Sequence, residues 1–178
     1  MQKVPQEGIY GIAVNLPVKD LFNLCKTNKD YEKLCKDEYF WGLKLNKEIN
    51  LSSNSYKRLK EISGLNGQQL YALMHSDFLS YPVQFEGTDL FGIMKILGQL
   101  GDLDLINYYI RKFDRINIPN IAEGAAMVDN VVLINQLVTD NPNSVNAIMF
   151  AAMIGAINTD NFRLIEDIIV NGLSLIHI

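Results

Sequence analysis

The sequence is short of the residues on which most active sites are built. It holds two cysteines and two histidines in 178 residues. Cys25 and Cys35 do not form a Cys-x-x-Cys pair, and two cysteines cannot supply the disulfide framework of a small secreted domain. Both lie beside leucines on apolar stripes and read as core hydrophobes, because a catalytic thiol needs a low-pKa setting with histidine nearby. A reducing, cytoplasmic compartment is the expectation. His75 has no second histidine near it, and Asp77, two residues on, falls off its helical face. It therefore reads as a surface or partly buried histidine, without a metal or general-base role.

Long hydrophobic runs are missing as well. The apolar stretch Ile9 to Val14 is interrupted by Gly11 and is too short for a signal-peptide core. No run approaches the roughly 18 apolar residues of a membrane span. Positive charge is also scarce where a phosphate-tracking surface would need it. Residues 64–178 hold 5 basic and 12 acidic side chains, a sum of −7, against 11 and 8, a sum of +3, in residues 1–63. With a net charge of −4 the chain does not read as a nucleic-acid binder. Gly98-x-x-Gly101 lacks the preceding strand and the Gly-Lys-Ser/Thr ending of a phosphate cradle. Asp102, Asp104 and Asp129 lack calcium-loop spacing and read as helix caps and solvated charge. No acid, base and nucleophile converge, so neither an enzyme nor a cofactor is expected.

What is present is apolar and helical. Hydrophobic residues make up 48% of the chain, enough for a sizeable core. Pro5 and Pro17 stand where short helices begin, since the missing N–H belongs to the unpaired first turn. The spacing predicts a short, weak helix over 6–14, its propensity lowered by Gly8 and Gly11, and a second helix over 18–26 with Leu21, Leu24 and Cys25 on an apolar stripe. Asn28 suits the cap of a third helix carrying Tyr31, Leu34 and Cys35, and Asp37 reads as a further cap. Phe40 and Trp41 are expected to plug the N-terminal core. Helices follow over 56–62 and 68–79, separated by Gly64 and Gly67, and 83–85 is open to an extended form.

Beyond Gly87 the chain turns to helix pairs: 90–100 with 103–113, 121–128 with 131–138, and 145–157 with 162–170. Leu105, Leu133 and Leu164 open similar apolar runs, spaced 28 and 31 residues apart. No member buries its apolar face alone, so a stacked helical array is expected, with Ala125-Ala126 and Ala151-Ala152 allowing close approach. An irregular helical bundle is the alternative reading of the same pattern. Either way the expected fold class is all-α.

The N-terminal residues carry a further pattern. Val4-Pro5-Gln6-Glu7, Ile9 and Ile12, Leu16-Pro17-Val18-Lys19-Asp20-Leu21, Leu24-Cys25, Leu34-Cys35-Lys36-Asp37 and Phe40-Trp41 together resemble an F-box. The variant looks like the F-box-like proteins of large cytoplasmic DNA viruses (mimivirus-like), and eighteen asparagines fit an A+T-rich coding genome. Val4 stands where that family usually has leucine, and Gly8 and Gly11 where it has stronger helix formers. The resemblance implies a short three-helix head that docks a Skp1-type linker of a cullin–RING ubiquitin ligase. Its linker-facing residues would be Val4, Pro5, Ile9, Ile12, Leu16, Pro17 and Leu21. The C-terminal pairs look like degenerate ankyrin repeats, although they lack the Thr-Pro-Leu-His tetrapeptide and run shorter than 33 residues.

The organisation implied is an F-box-like domain over 1–45, a helical linker region over 46–86 and degenerate ankyrin-like repeats over 87–172. The last six residues, 173–178, look like the translation of a sequencing adapter, so that the natural protein is expected to diverge near Gly172 and continue into further repeats. The function implied is a non-catalytic adaptor, ligase linker at one end and an unknown target protein at the other, without nucleic-acid or membrane partners. The alternative is an interaction scaffold with a vestigial F-box.

Overall fold

Helix caps divide this chain wherever the sequence supplies a short polar acceptor. The computed structural model describes residues 6–75, 90–112 and 116–175, and among these every regular element is helical. The chain falls into two units, Met1–Val83 and Gln84–Ile178.

The first unit contains α1 (Gln6–Ala13), α2 (Val18–Thr27), α3 (Lys29–Cys35), α4 (Glu38–Ile49), α5 (Ser53–Ser63) and α6 (Gly67–His75). Pro17 occupies the N-cap of α2. Asn28 closes α2 and opens α3, its Oδ1 accepting from the Asp30 amide at 2.9 Å. Asp37 opens α4 by accepting from the Tyr39 amide at 2.9 Å, and Ser52 opens α5 by accepting from Ser55 at 3.0 Å. Each such acceptor satisfies an amide that the first helical turn leaves unpaired. Asn50 and Gly64 end α4 and α5 in the left-handed region, where glycine and asparagine meet the least steric cost.

Trp41 is the centre of this unit. It is buried together with Phe40, Leu45, Leu59, Leu70 and Tyr71. Its ring lies 5.1 Å from those of Phe40 and Tyr71 and 5.9 Å from that of Phe22. Its Nε1 donates to the Cys35 carbonyl at 2.8 Å, so the indole is buried without an unpaired donor. The expected plug is therefore there, and α5 and α6 close over it. The boundary expected after residue 45 falls inside α4, and the region 46–86 does not begin as a linker: Tyr56 and Tyr71 tie α5 and α6 to α4. The helix expected to reach residue 79 is seen to His75, and 83–85 lies outside the described residues.

Cys25 and Cys35 are not the free core thiols expected. They are paired across α2 and α3, with Cα atoms 6.1 Å apart. The sharp turn at Asn28 folds α3 back along α2 and brings together side chains ten positions apart, within the span a disulfide bridges.

The second unit is built of helix pairs: α7 (Leu90–Leu100) with α8 (Leu103–Lys112), α9 (Ile118–Met127) with α10 (Val131–Asp140), and α11 (Val145–Asn158) with α12 (Phe162–Leu175). A 3-10 turn, Pro142–Ser144, precedes α11. Helix α9 starts three residues earlier than the apolar pattern predicts, because Pro119 sits in its first turn, where no amide hydrogen is needed. Residues 173–175 continue α12, and 176–178 lie outside the described residues.

The three turns between paired helices repeat one device. Asp102, Asn130 and Asn161 each accept at Oδ1 from the amide three residues on, at 3.1 Å in every case. The residue before each, Gly101, Asp129 or Asp160, has positive φ. Asn161 also donates from Nδ2 to Asp129 Oδ1 at 3.0 Å, linking one turn to the previous one. An aspartate there would cap its own helix equally well, but it has no hydrogen to donate.

Helix α9 lies between α7 and α11, and glycines set the spacing. A Cβ on Gly98 would collide with the Ile121 carbonyl oxygen, one on Gly124 with the Lys95 carbonyl oxygen, and one on Gly155 with the Glu123 carbonyl oxygen. Ala122, Ala125, Ala126, Ala151 and Ala152 are buried alongside. The alanine pairs do line the seams as expected, but the closest approaches are made by glycine. Lys95 and Glu123 add an ion pair at 2.7 Å between α7 and α9.

Candidate functional site

The joint between α1 and α2 gathers the residues expected to face a partner. Ile12 on α1 is 55% exposed, and Pro17, at the start of α2, is exposed too. Ile9 and Leu16 are half-buried. Leu21 departs from the expectation: it is fully buried within the first unit. Position 21 is one turn into α2, on the same inner stripe as Leu24 and Cys25, so it holds the joint from beneath and presents nothing to a partner. Val4 and Pro5 lie outside the described residues.

The joint is fastened by a residue that hydrophobic patterning passes over. Lys44 of α4 is fully buried, its Nζ donating to the carbonyls of Leu16 at 2.8 Å and Val14 at 3.3 Å. The same ammonium pairs with Glu48 at 2.6 Å and lies 5.3 Å from the centre of the Tyr71 ring. Tyr71 in turn donates its hydroxyl to Glu48 at 2.6 Å. Three acceptors and an aromatic face thus replace the water that a buried ammonium gives up. Lys47 donates to the Asn15 side chain beside it. Burial, and then the adjacent Glu48 carboxylate, push the Tyr71 hydroxyl far above its ordinary pKa, keeping it a neutral donor. A one-turn Lys-Glu spacing, Lys44 to Glu48, is visible in the sequence, but it usually marks a solvent-exposed helix face.

Aromatic residues extend the exposed surface. Tyr10 of α1 packs edge-on against Phe40 at 5.8 Å and lies 6.4 Å from the ring of Tyr39, which is 68% exposed. The Tyr10 hydroxyl donates to Asp37, tying α1 to the cap of α4. Leu43, one turn beyond Tyr39 on α4, is exposed as well. Tyr39 and Leu43 were not among the expected contact residues. The sequence shows only that they are apolar neighbours of Phe40 and Trp41 on one helix; that Tyr39 and Leu43 are exposed while Phe40 and Trp41 are buried was decided by packing.

A second polar cluster closes the other end of α4. Glu38 accepts from Lys60 at 2.7 Å, from the Gly67 amide at 2.9 Å and from the Tyr56 hydroxyl at 3.0 Å. Burial raises the pKa of this carboxyl, but the bonds from Lys60, Gly67 and Tyr56 together outweigh it and hold the group below its ordinary value. Gly67 is confined here: a Cβ would strike the Tyr56 hydroxyl and lie 2.8 Å from the Trp41 Cβ.

Among the described residues no group of three or more histidine, cysteine and acidic side chains is placed to hold a metal ion. His75 ends α6, and His177 lies outside the described residues. Asp102 caps α8 as expected, whereas α10 is capped by Asn130 and not by Asp129, whose carboxylate accepts from Asn161 instead. No described helix is long and apolar enough to cross a membrane. No protein-family model matches the chain, and neither a curated protein nor a solved structure was found to be similar to it.

Proposed function

We propose that the chain is a non-catalytic adaptor. Its first unit docks a Skp1-type linker of a cullin–RING ubiquitin ligase through Ile9, Ile12, Leu16 and Pro17, and its stacked helix pairs hold a target protein. The observation that carries this reading is the exposure of Ile12 and Pro17 at a joint that buried Lys44 holds in place. Exposed apolar side chains on a rigid support lose little entropy on binding, which is what a docking surface needs. The F-box resemblance names the linker, and the helix pairs with repeated caps agree with a shortened ankyrin-type array. Acidic excess in residues 64–178 favours a target with a basic face, mainly through association rate.

The test is capture of a purified Skp1-type linker by the full chain. Ile12→Asp and Pro17→Asp are expected to abolish capture with the helical circular-dichroism signal unchanged, since both sites are exposed. Failure of the unaltered chain to capture the linker overturns the reading. The second reading, a scaffold with a vestigial F-box, is favoured by the burial of Leu21, which removes one of the seven expected contacts. It predicts intact target binding and no linker capture.

A further inference from the structure

We propose that Cys25 and Cys35 form a thiol–disulfide exchange couple, entered at Cys25 by a small disulfide of the glutathione type. The two sulfurs are joined across α2 and α3, and they do not share one environment. Cys35, the last residue of α3, is 5% exposed. Its carbonyl accepts from Trp41 Nε1 at 2.8 Å, in the buried centre of the first unit. Cys25 is half-buried and stands two residues before the end of α2. One sulfur is thus within reach of a reagent in solution, and the other is held behind it.

The turn that brings them together does not depend on the bond. Asn28 ends α2 by donating its backbone N–H to the Leu24 carbonyl, and starts α3 by accepting from the Asp30 amide. Leu21 and Leu34, on the same two helices, are buried. Helices α2 and α3 therefore hold their places with the bond open, and the two thiols stay within bridging distance. Access to one sulfur is what separates labile disulfides from structural ones, which the glutathione pool does not reduce.

The exchange balances with glutathione disulfide as the oxidant. The Cys25 thiolate attacks one sulfur of glutathione disulfide, whose S–S bond breaks to release one glutathione thiolate. Cys35, deprotonated in turn, attacks the Cys25 sulfur of the mixed disulfide and expels the second glutathione as thiolate. The two protons lost by the cysteines go to the two glutathione thiolates. Two protein thiols are oxidised, and one glutathione disulfide is reduced to two thiols. Size fixes the order, because a tripeptide reaches Cys25 whereas Cys35 is enclosed. Closing the bond restrains the unfolded chain between positions ten apart, so oxidation is expected to raise the urea midpoint of the first unit by about 1–2 M.

The full chain, equilibrated in native buffer with mixtures running from reduced to oxidised glutathione, then alkylated and weighed by mass spectrometry, tests this. Two alkylated thiols are expected at the reduced end and none at the oxidised end, with the same mixtures reached from either direction. Cys35→Ala is expected to hold one glutathione at Cys25, and Cys25→Ala to take one up only after unfolding in urea. A disulfide that survives fully reduced glutathione overturns the proposal, as do two free thiols that persist in glutathione disulfide. Equal native uptake by the two variants overturns the order of attack and with it the entry at Cys25. The first two outcomes need no substitution, so they stand whether or not the variants fold. Linker capture takes no part in these measurements, so the adaptor reading and this one fail separately.

Discussion

Gly124→Ala and Gly11→Ala are the same substitution, and the structure gives them opposite signs. Alanine in a helix interior is favoured over glycine by about 1 kcal/mol, through reduced backbone entropy in the unfolded chain. Gly11 lies within α1, and an added Cβ there meets nothing within 4 Å. The full propensity gain is available, so the first unit is expected to gain about 0.5–1 kcal/mol. Gly124 lies within α9, where the new Cβ would overlap the Lys95 carbonyl oxygen and sit 2.6 Å from its carbon and 2.8 Å from the Lys95 Cα. All three are backbone atoms, and no rotamer change relieves them. Helices α7 and α9 must separate, which pulls alanines on the same seam out of contact. Overpacking of this kind costs about 1–3 kcal/mol, and loosening of the seam adds to it. Net of propensity, the second unit is expected to lose about 1–3 kcal/mol. Urea unfolding followed by circular dichroism measures both, with the Trp41 fluorescence reporting the first unit alone. A stabilised Gly124→Ala would show that backbone contact between α7 and α9 does not hold the array, and would refute the argument for Gly98 and Gly155 as well.

Lys44→Met keeps the aliphatic bulk but takes the ammonium away from the Val14 and Leu16 carbonyls and from the Glu48 carboxylate, which keeps the Tyr71 hydroxyl. Breaking a buried pair from one side costs about 3–5 kcal/mol, and the partial exposure of Glu48 reduces this to about 2–4 kcal/mol. A shift in the Trp41-monitored midpoint worth less than about 0.5 kcal/mol would show that the joint is held by apolar packing alone. Glu38 makes the first unit sensitive to acid. Its folded pKa lies below the ordinary 4.5, so it binds fewer protons folded than unfolded. Its contribution is full above about pH 4.5 and is lost as pH falls through the folded value. Glu38→Gln is expected to flatten the fall of the urea midpoint between about pH 5 and 3, and an unchanged slope would assign that fall to other carboxyls.

The helices themselves were legible because their signals are local. Asn28 and Asp37, both read as helix caps, capped the helices expected of them, and Asp102 and Asn130 opened the second helices of their pairs. Burial of Phe40 and Trp41 followed from their apolar character and their place at the end of the N-terminal pattern. The extent of the first unit was not legible, because Tyr56 and Tyr71 are committed by hydroxyls that reach α4 across 18 and 23 positions.

Sequence alone thus decided the all-α class, most helix ends and the paired rhythm of residues 90–170, since each depends on neighbours within about four positions. Tertiary structure decided which residues of each stripe face inward. It buried Leu21 and left Ile12 outside, joined Cys25 to Cys35, and drew the Lys44 ammonium under the Leu16 carbonyl. It also turned Gly98, Gly124 and Gly155 from weak helix formers into the contacts that set the helix spacing. Those outcomes depend on which backbone lies opposite, and a period of 3.6 residues states only that some face will be covered.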